Sequence, residues 1–254
     1  MFKFIVVLFA LVANALAIPS IDRRIDYNGN WKVVGGSTAT SGAYPFIVSL
    51  RSSSNSHFCG GSILSEQWIL SAAHCLVSIS ASSITAVVGS NTLSSGGNRH
   101  TASKLVVHQN YDEQMIANDV GVVQLSNPIV YSSSVAPVPL SSERVGAVSA
   151  VLIGWGTTIL GGFIPNDLQQ LPTNTLTVTD CQSYWGSNVS GNQICALSRA
   201  GQGACHGDSG GPLVQASDFV QVGIVSFGFP CAQGYPDVYT RVSSYSSWIA
   251  DATS

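Results

Sequence analysis

The residues best suited to chemistry lie in a hexapeptide, Gly-Asp-Ser-Gly-Gly-Pro, at positions 207–212. A serine hydroxyl is a poor nucleophile at neutral pH, so it needs a nearby base and donors for the charge that develops on the attacked carbonyl oxygen. Glycines on both sides of Ser209 allow a sharp turn and leave backbone N–H groups unobstructed. A generic Gly-x-Ser-x-Gly is usually only a turn, but this hexapeptide is far more specific, so Ser209 is a candidate nucleophile.

Two further residues have the chemistry that a serine nucleophile needs. His74 follows Leu-Ser-Ala-Ala at positions 70–73 and precedes Cys75, which can hold its loop in place. A single histidine is more often structural than catalytic. Asp119 enters an apolar segment, Val-Gly-Val-Val at positions 120–123, where a carboxylate is costly without hydrogen-bond partners. We therefore interpret Asp119 as a hydrogen-bonded group and His74 as a candidate base.

The elements that must position these residues are short strands. After residue 33, short apolar runs alternate with Gly, Ser, Asn and Pro, which is typical of an all-β chain. The polar segment 127–147 is predicted to cross between two β-halves. One helix is predicted over 243–252, where Tyr245, Trp248, Ile249 and Ala252 recur at helical spacing. The predicted strands cover 46–50, 59–64, 68–71, 86–88, 104–107, 120–125, 151–153, 175–178, 212–214, 220–226 and 238–241.

The amino-terminal segment is typical of a secretory signal peptide. Lys3 precedes an apolar run of 13 residues, 4–16, and Ala-Leu-Ala stands at 15–17. This run is shorter than the roughly 20 residues that span a bilayer, so we expect a soluble, secreted, extracellular protein that has no membrane partner. The predicted domains are a signal peptide at 1–17, a polar pro-segment at 18–32 and one globular domain at 33–254.

Composition argues against several classes of function. The net charge is −3 and the ten Lys and Arg residues are scattered, so nucleic-acid binding has no support. Six cysteines behind a signal peptide indicate disulfides, although six cysteines allow fifteen pairings. The sequence has no Cys-x-x-Cys pair, and the segment 89–100 has no acidic residue for calcium. We therefore expect no metal and no cofactor.

In the order His, Asp, Ser, the candidate residues resemble the catalytic set of the chymotrypsin-like serine proteases. The resemblance extends from residue 33 to the carboxyl terminus and includes Val-Val-Gly-Gly at 33–36, Gly-Trp-Gly at 154–156 and Ser-Phe-Gly at 226–228. It implies an all-β fold of two six-stranded antiparallel Greek-key β-barrels, with the active site between them and a C-terminal α-helix. It also implies a serine endopeptidase, which is a hydrolase.

The resemblance implies a role for each residue of the site. His74 would take the proton from Ser209 and return it to the leaving amine, while Asp119 would hold the histidine tautomer. Backbone N–H groups of Gly207 and Ser209 would form the oxyanion hole.

Substrate binding and the disulfides follow from the same resemblance. Ser226, Phe227 and Gly228 would pair with the substrate backbone as an added strand. Ser226 would also hydrogen-bond near Asp119, and Phe227 would help to wall the pocket. The implied disulfides are Cys59 with Cys75, Cys181 with Cys195, and Cys205 with Cys231.

The resemblance further implies activation by proteolysis. Lys32–Val33 looks like the bond that an activating trypsin-like protease cuts, and the new Val33 amine would fold inward to pair with Asp208. Until that amine exists, Asp208 would be an unpaired buried charge, so we expect a malformed pocket and oxyanion hole in the zymogen. No cysteine lies between 18 and 32, so the cut pro-segment should leave.

Three positions determine the predicted specificity. Gly203 stands at the pocket base, where trypsin-like members carry an aspartate, and Gly228 leaves the pocket open to a large side chain. Both favour cleavage after Phe, Tyr, Trp or Leu. Asp237 stands where most relatives have glycine, and its combination with Gly203 resembles arthropod chymotrypsins and collagenolytic proteases of broad specificity. Its carboxylate either accepts a basic substrate side chain or is solvated or paired internally.

The expected partners are protein or peptide substrates, the activating protease and protein inhibitors, and we expect a monomeric digestive enzyme. The alternatives are a component of a proteolytic cascade and a catalytically inactive homologue that binds a partner. Asn188 begins a glycosylation sequon, Asn-Val-Ser. His57, His100 and His108 are interpreted as surface or structural residues, and His206 as a residue that could touch substrate.

Overall fold

The computed structural model describes residues 35–229 and 231–254. The predicted signal peptide and pro-segment lie outside the described residues, as do Val33 and Pro230. No helix in the described part of the chain is long and apolar enough to cross a membrane.

The α-helices are α1 (Val178–Trp185) and α2 (Ser246–Ala252), and the short 3₁₀ helices are Ala73–Cys75, Ala81–Ser83, Gly186–Asn188 and Val242–Ser244. The strands are β1 (Ser37–Thr38), β2 (Ile47–Arg51), β3 (His57–Ile63), β4 (Trp68–Ser71), β5 (Thr85–Val88), β6 (Asn98–Val107), β7 (Gly121–Leu125), β8 (Ser149–Gly154), β9 (Gln169–Thr175), β10 (Gln193–Leu197), β11 (Pro212–Gln215), β12 (Gln221–Phe227) and β13 (Asp237–Arg241).

The strands form two antiparallel barrels. The first is closed in the order β2-β3-β4-β7-β6-β5. The second has the order β9-β10-β13-β12-β11-β8, is closed by pairing of β8 with β9, and carries the two-residue β1 at β9. The segment between β7 and β8 connects the two barrels. The predicted fold of two six-stranded barrels with a C-terminal helix is confirmed.

Each barrel has its own apolar interior, and a third cluster joins them. Leu50 and Val122 are completely buried in the first barrel, and Leu152 is completely buried in the second. The third cluster combines Phe46, which precedes β2, with Trp155, which follows β8. Full burial of each such side chain contributes about 1.5–3 kcal/mol, so the barrel interface holds the two halves of the site in a fixed relation.

The C-terminal helix follows the last strand of the second barrel but packs on the first. The segment predicted as one helix over 243–252 begins as the 3₁₀ helix Val242–Ser244 and continues as α2. Tyr245 and Ile249 belong to the apolar cluster of the first barrel. The Tyr245 hydroxyl donates to Asn118 Oδ1 at 3.0 Å, directly beside Asp119. The helix therefore supports the turn that carries the candidate acid.

The predicted strand at 175–178 is wrong, because β9 ends at Thr175 and α1 begins at Val178. Thr177 caps the helix, since its Oγ1 accepts from the Asp180 N–H at 3.1 Å and donates to Asp180 Oδ2 at 2.6 Å. Thr-Val-Thr-Asp is a capping sequence and could have predicted this helix. Most of β9 and all of β10 were also missed. In β9 every second residue is buried, as in a half-buried strand, but several of these buried residues are polar Gln and Thr. An alternation of apolar and polar residues is therefore not visible in the sequence of this strand.

Candidate active site

The ends of two paired strands bring His74 and Asp119 together. β4 pairs antiparallel with β7, with Ser71 opposite Gly121, and His74 follows the first strand while Asp119 precedes the second. His74 Nδ1 lies 2.8 Å from Asp119 Oδ2, and the His74 backbone N–H donates to Asp119 Oδ1 at 2.9 Å. The carboxylate thus receives Nδ1–H, which leaves Nε2 of the neutral ring free to act as a base.

The second barrel holds Asp119 from the other side. Its side chain is completely buried, whereas that of His74 is 27 % exposed. The Ser226 hydroxyl, on β12, donates to Asp119 Oδ2 at 2.6 Å, as the resemblance implied. Thr240 Oγ1, on β13, donates to the Asp119 backbone oxygen at 2.6 Å. These donors offset the cost of burying a carboxylate and align it with His74.

Ser209 lies in a loop that the second barrel places against the first. The Gly60 N–H, on β3, donates to the Ser209 backbone oxygen at 2.7 Å. A Cβ atom at Gly60 would come within 2.9 Å of the Gly211 Cα, and one at Gly210 would overlap Ser71 Oγ. Glycine is required at these contacts because backbone meets backbone there. The loop therefore lies beside the end of β4, immediately before the His74 helix.

Within residues 35–229 and 231–254, the Ser209 hydroxyl has no hydrogen-bond partner, His74 included. His74 Nε2 lies 3.6 Å from Cys75 Sγ. In enzymes without substrate, contacts between base and nucleophile are often long and tighten when substrate binds. The structure thus places both groups on adjoining elements but does not join them.

Two backbone donors beside Ser209 are free, as an oxyanion hole requires. Gly207 has a φ of +103°, a conformation that favours glycine. The neighbouring Asp208 and Gly210 N–H groups donate to the backbone oxygens of Cys205 and Val225. For the Gly207 and Ser209 N–H groups, the described residues provide no acceptor. Both are available to a carbonyl oxygen of substrate.

His57 has a positioning contact that sequence reasoning missed. Its Nε2 lies 2.9 Å from the Gly207 backbone oxygen, and its Nδ1 lies 2.8 Å from Ser49 Oγ. Burial lowers the pKa of His57 to about 4; the hydrogen bond to Gly207 opposes this shift and the charge of Arg51 adds to it. The ring is therefore neutral, with Nε2–H donating to Gly207 and Nδ1 accepting from Ser49. No local signal in the sequence indicated this contact, which joins residues 150 positions apart.

Asp208 is completely buried beneath the Ser209 loop. Its Oδ1 accepts from the Gly156 N–H at 2.7 Å, and its Oδ2 accepts from the Cys205 N–H at 3.0 Å. Burial raises the pKa of Asp208 to about 6, and these two hydrogen bonds oppose the shift. No Lys, Arg or His nitrogen of the described chain lies within 4.0 Å of this carboxylate. Its pairing with the Val33 amine lies outside the described residues and stays a prediction.

A cavity of about 190 Å³ begins at Ser209 and is the candidate substrate pocket. Its lining includes all three residues of the predicted substrate-binding segment, Ser226, Phe227 and Gly228. The Phe227 ring packs edge-on against Trp185 of α1, with 5.4 Å between ring centroids. His206 and the cysteines of the Cys205–Cys231 disulfide also line the cavity.

Asp237 borders the same cavity and is only 7 % exposed. A Cβ atom at Gly203 would lie 2.8 Å from Asp237 Oδ2, and one at Gly228 would lie 2.8 Å from Oδ1. The Ala204 N–H donates to Oδ2 at 2.6 Å. Burial raises the pKa of Asp237 to about 7, with the charge of Asp208 adding to the shift and the Ala204 hydrogen bond opposing it. The carboxyl group is thus largely buried and lines the pocket.

The remaining predicted residues have clear positions. The three implied disulfides are present: Cys59–Cys75, Cys181–Cys195 and Cys205–Cys231. Asn188 is exposed at the end of the 3₁₀ helix Gly186–Asn188, and the Ser190 hydroxyl of its sequon donates to Gln193 Oε1. His108 contacts the rings of Tyr245 and Trp248, consistent with a structural role. His100 is partly buried on β6.

Comparison with known proteins agrees with this arrangement. The family model described as Trypsin matches residues 33–249. The chain belongs to the trypsin family of serine proteases. Relatives of this trypsin-family chain include Chymotrypsin-2 of Vespa crabro, which is 44 % identical over 220 residues and covers 85 % of this chain and 98 % of the relative. Trypsin beta of Drosophila erecta is 39 % identical over 262 residues, covering 98 % of each chain. Trypsin I-P1 of Gallus gallus is 40 % identical over 254 residues, covering 97 % of each.

Family membership makes this protein a serine endopeptidase of the trypsin fold. The relatives carry the names of chymotrypsins and of trypsins at similar identity, so membership alone leaves the preferred side chain open.

Substitution of Gly156 by alanine is expected to impair this trypsin-family protease, because the new Cβ atom would overlap the Asp208 carboxylate. We expect a loss of about 1–3 kcal/mol in the free energy of unfolding, and a lower kcat/KM because Asp208 adjoins Ser209. Gly146→Ala is the matched control, since nothing lies within 4 Å of a Cβ atom at Gly146. Denaturant unfolding and kcat/KM check both variants, and equal effects would contradict this account.

Proposed function

We propose that this trypsin-family serine endopeptidase is a secreted digestive enzyme, made as a zymogen, that cleaves after Phe, Tyr, Trp or Leu and also accepts basic side chains. The observation that carries the catalytic part is the buried Asp119 carboxylate, which holds both the backbone N–H and the ring of His74 beside the Ser209 loop. The signal peptide, the three disulfides and the cleavage site at Lys32–Val33 support secretion and activation.

In the proposed mechanism, Ser209 attacks the substrate carbonyl carbon while His74 Nε2 accepts the serine proton. Asp119 keeps the histidine in the tautomer that can accept this proton and stabilises the imidazolium that forms. The free N–H groups of Gly207 and Ser209 bind the oxyanion, and each such donor contributes roughly 3–4 kcal/mol to the transition state. His74 then protonates the leaving amine, and water hydrolyses the acyl-enzyme by the same steps.

The pocket supports a preference for large side chains. Gly203 places no charged side chain at the base, and Gly228 places no side chain on the wall. The ring of Phe227, supported by its contact with Trp185, provides an apolar surface at the side. Chymotrypsin-2 of Vespa crabro, at 44 % identity, is consistent with this preference.

Asp237 supports the additional acceptance of basic side chains. Its carboxyl group lines the cavity between the two glycines, where an incoming ammonium or guanidinium group would supply the positive charge that the described residues do not. This is the arrangement expected of a broad-specificity protease and distinguishes the pocket from one with an aspartate at position 203.

Cleavage of a peptide library by the activated enzyme tests this specificity. The parent is expected to cut after Phe and Leu and also after Arg and Lys, whereas Asp237→Gly should lose the basic substrates by at least about tenfold and retain the apolar ones. Unchanged ratios of kcat/KM among Phe, Leu, Arg and Lys substrates would remove Asp237 from the account.

Labelling with diisopropyl fluorophosphate tests the nucleophile itself. Activated protein should be labelled at Ser209, and Ser209→Ala should not. If the activated protein is not labelled, the alternative of an inactive homologue that binds a partner is favoured.

Asn188, exposed on the surface, is the proposed glycosylation site, and protein inhibitors that enter the cavity are proposed partners.

A further inference from the structure

The substrate cavity contains a carboxyl group that the catalytic steps do not use. Asp237 stands at the start of β13, and its side chain lines the cavity of about 190 Å³ that begins at Ser209. Gly203 and Gly228 flank its two oxygens. Because neither neighbour has a side chain, a substrate group in the cavity meets the carboxyl group directly.

The contacts of Asp237 leave its ionised form poorly compensated. The Ala204 N–H donates to Oδ2 at 2.6 Å, and this is the only hydrogen bond to the carboxyl group from the residues the structure describes. Those residues also place no Lys, Arg or His nitrogen within 4.0 Å of it. A buried carboxylate with one neutral donor and no cation is costly. A proton and a substrate cation therefore compete for the same site.

The ionisable groups around Asp237 do not supply a positive charge. Asp208, from the nucleophile loop, and Tyr239, from β13 itself, are both buried and acidic. His206 is the other ionisable side chain that lines the cavity. Burial is the largest cause that raises the pKa of Asp237 to about 7, and Asp208 adds to the shift only where its charge is not paired with the Val33 amine. Both protonation states are consequently populated near neutral pH.

We propose that protonation of Asp237 selects the class of substrate side chain: the neutral carboxylic acid admits a large apolar side chain, and the carboxylate admits lysine or arginine. The inference rests on the proposed peptidase function. An apolar side chain removes water from a buried carboxylate without replacing its hydrogen bonds, whereas a cationic side chain supplies a partner. The preference of the enzyme therefore moves from apolar to basic residues as the pH rises through neutrality.

The test compares two peptides that differ only in the residue before the scissile bond, Lys or Phe. Their kcat/KM values are measured from pH 5.5 to pH 8.5. The acid–base chemistry at the scissile bond is common to both substrates, so its pH dependence cancels in the ratio. For a group that titrates near pH 7, the ionised fraction rises about tenfold between pH 6 and pH 8, so the Lys-to-Phe ratio is expected to rise at least about tenfold.

Matched variants assign the titration to one group. In Asp237→Asn the ratio should be independent of pH, and in His206→Gln its rise should persist. Labelling with diisopropyl fluorophosphate counts folded, active molecules in each preparation. If Asp237→Asn does not fold, Asp237→Gly replaces it. A constant ratio in the parent, or a rise that persists without the Asp237 carboxyl group, would overturn the inference while leaving the peptidase proposal intact.

Binding of benzamidine tests the same group without catalysis, using Ser209→Ala. Benzamidine stays cationic throughout this pH range, so calorimetry should show about tenfold tighter binding at pH 8 than at pH 6. It should also show release of about one proton per molecule bound at pH 6. Binding that does not depend on pH contradicts the proposal. Failure of the active-serine parent to be labelled or to cleave any peptide would instead count against the proposed function.

Discussion

Asp119→Asn is expected to lower kcat by about 10⁴-fold with little change in KM. In the native chain Oδ2 accepts from His74 Nδ1 and from the Ser226 hydroxyl, which leaves Nε2 as the proton acceptor. An asparagine amide at this position donates to Nδ1 and places the histidine proton on Nε2. The ring then cannot accept the Ser209 proton, although the backbone geometry is retained.

Ser226→Ala is the control for Asp119→Asn. It removes one hydrogen bond to the carboxylate but leaves the charge and the His74 tautomer unchanged. A hydrogen bond to a charged group contributes about 1.5–3 kcal/mol, so the loss in kcat should stay between about 10-fold and 150-fold. Thermal unfolding should show that both variants are folded. If Asp119→Asn keeps more than a tenth of the parent kcat, the carboxylate does not set the tautomer.

Acetylation of the Val33 amine in the activated enzyme is expected to lower kcat/KM by at least about 10²–10³-fold, the effect of losing one oxyanion-hole donor. Asp208 adjoins both Gly207 and Ser209, whose N–H groups form the proposed hole. Burial raises the pKa of Asp208 from 3.8 to about 6, so an unpaired Asp208 carboxylate costs about 3 kcal/mol at neutral pH. This cost is absent below about pH 4 and complete above about pH 6, because the carboxyl group ionises between these values. A Val33 ammonium group beside the Asp208 carboxylate removes this free-energy cost because it supplies a positive charge. Acetylation converts the amine to a neutral amide, which does not.

The sequence offers an unusually clean form of this experiment. Lys104 is the only lysine between residues 33 and 254, and it is exposed on β6. In Lys104→Arg, the activated chain therefore has a single amine, that of Val33. Because no other amine is present, a control in which the reagent is applied before cleavage after Lys32 is not needed. Full activity after acetylation of the activated variant would refute the pairing of Val33 with Asp208.

The candidate catalytic residues could be named from the sequence because their signals are local. The hexapeptide around Ser209, the small residues around His74 and the apolar segment after Asp119 each occupy a few consecutive positions. Their order in the chain indicated the resemblance, which then implied their roles and the disulfide pairings. The strands with apolar runs were located within a few residues, because alternation along a strand is a local property. The barrel strands β9 and β10 were missed since their buried faces include polar residues that pair only with distant strands.

His57 shows what local signals cannot provide. Its contact with Gly207 joins residues 150 positions apart, and the contact depends on the first barrel meeting the second. Nothing in the immediate neighbourhood of His57 indicates that its ring reaches the oxyanion loop. The hydrogen bond from Ser226 to Asp119, over 107 positions, was reached only through the resemblance.

For Asp237, the sequence determined the identity of the residue, and only the tertiary structure determined its burial. The sequence showed that residue 237 is an aspartate and residue 203 a glycine, and the resemblance implied that most relatives have glycine at the first position and trypsin-like members an aspartate at the second. Whether its carboxylate accepts a basic substrate side chain or is solvated or paired internally was left open. The tertiary structure decided how far the group is buried, since burial depends on which strands and loops surround the side chain. Burial of the carboxyl group between Gly203 and Gly228 raises its pKa to about 7, and the charge of Asp208 adds to the shift.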